Sequence, residues 1–173
     1  MPICIVSEYR QKGEKMSTDQ TDPSSDEKVS PEEASELLIS MSYEAITYLD
    51  RAIPEYEKIA SNLENDASDS EAIGELGKAE DGLKWLALYT HQCIEAGQEV
   101  LSPGIREKFT PFNENLLPAI RQIISELEKV DKSALPKVIK EHMLPLFRQL
   151  HEAAKEALMH LGKDIENDKE DNS

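Results

Sequence analysis

Residues 76–101 read LGKAEDGLKWLALYTHQCIEAGQEVL, the densest apolar run in the chain. Leu76, Ala79, Leu83, Leu86, Thr90, Cys93, Gly97 and Val100 recur at steps of three and four residues. That is the period of an amphipathic helix. Trp85, Leu88, Tyr89 and Ala96 form a second stripe on a neighbouring face. A helix with two apolar stripes either sits between several neighbours or offers one stripe to a partner. Trp85, Leu88 and Tyr89 are therefore the candidate partner-binding patch, to be weighed against a place in the core of a central bundle helix.

Upstream of this stretch, Ser30, Pro31 and Glu33 carry a helix start: a capping hydroxyl, a proline at the first helical position and a capping-box glutamate. Leu38, Met41, Ala45, Leu49, Ala52, Tyr56, Ile59 and Leu63 follow in helical register. The pattern runs through Pro54, which removes one hydrogen bond and costs a helix interior about 3 kcal/mol. A kink near Arg51, or two abutting helices, is expected. Asn65 to Ser70 is turn-like, and Asp69 or Ser70 is placed to cap the next helix. That second helix, about 70–101, contains Gly74, Gly77, Gly82 and Gly97. Each lowers helix propensity by about 1 kcal/mol relative to Ala, a loss that close helix packing can offset. Ser102-Pro103-Gly104 marks its end.

Downstream, Thr110-Pro111 is another cap-plus-proline start, with Phe112, Leu116, Ala119, Ile123, Leu127 and Val130 behind it. After the turn at Asp131 to Ala134, the last helix carries Leu135, Val138, Ile139, Met143, Leu146, Leu150, Ala154, Leu158, Leu161 and Ile165. Ile53-Pro54, Leu117-Pro118 and Leu144-Pro145 place a proline inside three of the helices. Their unequal spacing is not that of a repeat array. The expected fold class is all-α: an antiparallel bundle of four long helices, some kinked at proline, with disordered acidic tails. The divisions are a tail at 1–30, a bundle at 31–166 and an acidic tail at 167–173. Ser17 to Ser30 has no apolar period with which to offset its ordering entropy. Met16 opens a natural-looking acidic start, so residues 1–15 read as a leader or an upstream addition.

The chain of 173 residues is long enough for one domain with a real core. Its net charge of -16 argues against binding nucleic acid or an anionic membrane, whose phosphates it would repel. No stretch approaches the roughly 20 apolar residues that span a bilayer. Cys4 and Cys93 make neither a disulfide framework nor a zinc cluster. A reducing compartment follows, and a cytoplasmic location is expected.

Catalytic patterns are absent. A carboxylate-bridged metal bundle needs Glu-x-x-His on two helices, but Leu88, Ile139, Arg148 and Ala157 precede His91, His142, His151 and His160 by three. His151-Glu152 begins like a zinc-protease helix, yet Lys155 stands where the second His belongs. His160-Leu161-Gly162-Lys163 is similar to the His-x-Leu-Lys-Gly sequence of histidine phosphotransfer domains, with the last two residues reversed and a tail following. There is no Gly-rich phosphate loop and no Gly-x-Ser-x-Gly. Cys93, on an apolar stripe, reads as a packed thiol.

Charge is unevenly placed. Residues 31–65 hold 8 acids and 2 bases, as do residues 66–101, so each stretch carries -6. Residues 102–135 hold 5 of each and sum to zero; residues 136–162 hold 3 acids and 4 bases, +1. The acidic half is either a solvated face or a dock for a basic partner. The expected function is a noncatalytic protein-interaction module, an adaptor, chaperone or regulator, with no cofactor and no metal. Its partner is another protein, a basic one by charge, or a second copy. The alternatives are an enzyme or phosphocarrier with a dispersed site, and a purely structural homodimer. The chain resembles small helical export chaperones, such as the flagellin type, in architecture only.

Overall fold

Ser30 opens the first helix as a capping box: Glu33 N–H donates to its hydroxyl at 3.2 Å, and its own N–H donates to the Glu33 carboxylate at 3.0 Å. The computed structural model describes residues 29–170, with side chains as far as Gly162. Helix α1 spans Pro31–Asn65, α2 Ser70–Gly77, α3 Glu80–Glu95, α4 Pro103–Glu107, α5 Thr110–Glu128, α6 Leu135–Val138 and α7 Leu144–Glu170. A short 3₁₀ turn, Ala96–Gln98, follows α3, and a π turn, Ile139–Met143, joins α6 to α7. No strand occurs among the described residues. Residues 1–28 of the expected tail at 1–30, and 171–173 of the expected tail at 167–173, lie outside the described residues.

Four long rods form the bundle: α1, α2 with α3, α5, and α6 with α7. Helix α1 packs on α7 and α3, and α5 packs on α3 and α7, so the four close a ring. Polar pairs between α1 and the last rod set the direction. Glu64 meets Lys140 at 2.6 Å, Glu57 meets Arg148 at 2.5 Å and Asp50 meets His151 at 2.8 Å. Numbers fall on α1 as they rise on α7, so the two run antiparallel. On the other side Ser42 pairs with Tyr89 and Tyr48 covers Gly82, so α1 and α3 are antiparallel as well. Leu38, Leu49, Leu86, Phe112, Phe147 and Leu150 are fully buried in the centre. Tyr56 meets Phe147 edge-on, centroids 4.9 Å apart, a favoured aromatic geometry.

Several local expectations are corrected. Helix α1 is one helix through Pro54, not two. Pro54 and Asp50 are both exposed, so the Asp50 carbonyl that loses its donor faces water. The expected single helix over 70–101 is broken: α2 ends at Gly77, Lys78 and Ala79 turn, and α3 stops at Glu95. Gly74 and Gly77 weaken the helix there, and a Cβ on either would meet nothing within 4 Å, so packing does not offset their cost. At Gly82 it does: an added Cβ would lie within 3 Å of the Tyr48 ring. Ser102-Pro103 starts α4 rather than ending a helix, and Thr110 is the first residue of α5, whose cap position, Phe109, makes no side-chain cap bond. In the last rod, the Leu144 N–H donates to Ile139, five residues back. Pro145 next to it has no N–H to give, and the wider turn absorbs the slipped ladder. Helix α7 continues to Glu170, beyond the expected boundary at 166, because nothing after Gly162 breaks it.

Candidate docking face on the third helix

Helix α3 turns Leu86, Tyr89, Thr90 and Cys93 into the core. The three residues of the sequence-derived patch thus part company. Tyr89 is fully buried, which removes it from any surface. Its ring meets Phe109 edge-on at 5.7 Å, and its hydroxyl is 2.8 Å from the hydroxyl of buried Ser42 on α1. The signal was present in the spacing. Tyr89 lies three residues after Leu86 and four before Cys93, so it belongs to the same face as both. Trp85 is half-buried, packed against the core and stacked on Tyr89 with centroids 6.0 Å apart and planes 8° from parallel. Leu88 is 50% exposed. What remains on the surface is the outer edge of Trp85 with Leu88 beside it.

The α1 flank facing α3 completes this surface. Tyr48 marks that flank, since it covers Gly82. Met41 lies seven residues before Tyr48 and Glu44 four before, while Glu55 lies seven after, so all three share its side of α1. Met41 is half-buried; Leu37, one turn earlier, is 41% exposed. Asp81 stands beside Gly82 on α3. Glu44, Glu55 and Asp81 take part in none of the ion pairs of the described residues, whereas Asp50 and Glu57 on the opposite flank of α1 are matched by α7, and Glu64 by Lys140 in the π turn before it. The α1 carboxylates of one flank are thus paired with the last rod, while Glu44 and Glu55 share theirs with exposed Arg51 and Lys58.

Groups with chemical potential elsewhere are dispersed. Burial pushes the Cys93 thiol up to about 12, so it stays protonated and unreactive at neutral pH. His91 and His142 are exposed, His151 is held by Asp50, and Glu156 pairs with Lys108. Among the described residues no three His, Cys, Asp or Glu side chains are grouped to hold a metal ion. None of the described helices is long and apolar enough to cross a membrane. At the far end of the bundle, a shallow depression of about 220 Å³ is lined by Ala67, Ser68, Ile73, Val130, Asp131 and Lys132.

Fold and surface together define an all-α, four-rod antiparallel bundle with one apolar-and-acidic seam. No family model, curated protein or solved structure matches the chain.

Proposed function

We propose that the protein is a noncatalytic interaction module that receives a basic partner protein on the α1–α3 seam. The observation that carries this reading is half-exposed Leu88 beside the half-buried ring of Trp85, on the half of the bundle with two stretches of -6. Apolar side chains supply the contact area, and the charge of -6 on each of residues 31–65 and 66–101 supplies attraction and orientation. Trp is among the residues most enriched in the energetic centres of interfaces. A basic amphipathic segment satisfies both halves of this surface.

Affinity capture with the intact chain, compared with its Leu88→Glu variant, tests the reading. The expected result is a basic protein retained by the wild type, lost with Leu88→Glu and released by salt, because charge attraction is screened. Leu88 is far from the core, so the variant should melt within about 0.5 kcal/mol of wild type. A captured protein that is acidic, or one bound equally by both forms at all salt concentrations, would refute the proposal.

A further inference from the structure

Helix α2, Ser70–Gly77, is held more loosely than the long helices around it. Only Ala72 among its residues is buried; Ile73 and Leu76 are half-buried. Ile73 also lines the shallow depression between α2 and the turn after α5, so that flank of α2 meets open space. Among the described residues no side-chain hydrogen bond or ion pair ties α2 to another helix. The Glu71 and Ala72 N–H groups donate to the Asp69 cap at 3.0 and 3.2 Å, and Lys78 pairs with Glu75 at 2.6 Å, all within one short segment. Helix α3, by contrast, is tied to α1 through buried Tyr89 and Ser42. Turns bound α2 on both sides, at residues 66–69 and 78–79. A helix of eight residues is too short to hold itself in water. One buried alanine and two half-covered side chains offer little against the ordering entropy of its backbone.

Gly74 and Gly77 tip the balance further. Neither has a positive φ, and a Cβ on either would touch nothing within 4 Å. Neither backbone geometry nor close packing therefore calls for glycine at these positions, whereas Gly82 in α3 is covered by Tyr48. What the two glycines do is favour the open chain, which has more conformations to gain with glycine than with alanine. A segment with few buried contacts, bounded by turns and weakened by glycine, opens at a far lower free energy than the core it lies on.

We propose that α2 is a hinged strap. It opens and re-forms between its two turns while α1, α3, α5 and the last rod stay packed, so the link from α1 to α3 has a slack state as well as a closed one. Native-state hydrogen exchange of the full chain in low urea tests this. The Ile73, Glu75 and Leu76 amides should be protected, but about a hundredfold or more less than those of Leu86, Tyr89 and Cys93 in α3. Their protection should barely change with urea, because local opening exposes little surface. Gly74→Ala and Gly77→Ala should each raise the protection of α2 about fivefold, and the pair about 25-fold. Asp69→Ala, which removes the cap, should lower it about fivefold. Amides of α2 with no protection at all would overturn the proposal, since no closed state would then exist. So would amides as protected as those of α3 and lost with them as urea is added, or a protection indifferent to both alanine substitutions.

Discussion

Ser42 and Tyr89 provide the sharpest test of how α1 and α3 are joined. Both residues are fully buried, and their hydroxyl oxygens are 2.8 Å apart. Removing one partner leaves the other desolvated and unmatched, at a cost of about 1–3 kcal/mol. The two single substitutions are not equivalent. In Ser42→Ala the stranded group is the Tyr89 hydroxyl, whose remaining neighbour, the Cys93 thiol, is a weak hydrogen-bonding group. About 2 kcal/mol is expected. In Tyr89→Phe the stranded group is the Ser42 hydroxyl, which can turn to the backbone carbonyl four residues back, on Leu38. About 1 kcal/mol is expected there. With both hydroxyls gone nothing polar is left unsatisfied, so the double variant should cost about 1 kcal/mol rather than the sum of the two. Urea unfolding followed by helical circular dichroism reads this directly. With a slope of about 1–3 kcal/mol per molar, Ser42→Ala moves the midpoint by about 1 M and the double variant by less. Strict additivity would refute the pairing of these hydroxyls and, with it, the register of α3 on α1.

Trp85→Ala should cost about 2 kcal/mol, below the 3–5 typical of a fully buried ring, because one edge of Trp85 is already in water. Its fluorescence, from the chain's single Trp, should be partly quenched by a soluble quencher; full quenching with unchanged stability would contradict its stacking on Tyr89. Stability should also fall in alkali. Burial raises the Cys93 thiol from near 9 to about 12 and holds the Tyr56 and Tyr89 phenols above their ordinary value. The folded chain therefore keeps protons that the unfolded chain releases. The Cys93 contribution is complete below pH 9 and is lost between pH 9 and 12. The denaturation midpoint should drop through that window, and less steeply in Cys93→Ala; a level midpoint would refute the burial of the thiol.

The residues of the candidate docking face were partly legible in the sequence. Trp85 and Leu88 were marked by spacing, and the acidic half by counting. Tyr89 was misplaced because two stripes one step apart on a helix overlap, and only the number of neighbours decides how wide a face is covered. Helix α3 has α1 on one side and α5 on the other, and between them they bury Tyr89 along with Cys93. The exposed side of α5 escaped for the converse reason. Leu117, Ile120 and Ile124 sit beside Leu116 and Ile123 in sequence and read as one broad apolar helix. Exposure at Leu117 and Ile124 emerges only when the ring of rods closes without covering them.

The sequence by itself determined the helical class, the start at Ser30, a second start at Asp69 or Ser70, the burial of Cys93 and the division of charge. Each of these is local: a period, a cap or a sum, written within a few turns of chain. Tertiary structure alone decided the rest. It set Phe109 between helices against Tyr89, left Pro54 in a continuous helix because its side faces water, and opened a π turn before Pro145. It also divided the apolar residues of α3 and α5 into core and surface. A helix presents all its faces in its sequence, but burial belongs to the neighbours, and their number and direction are fixed only when the four rods pack.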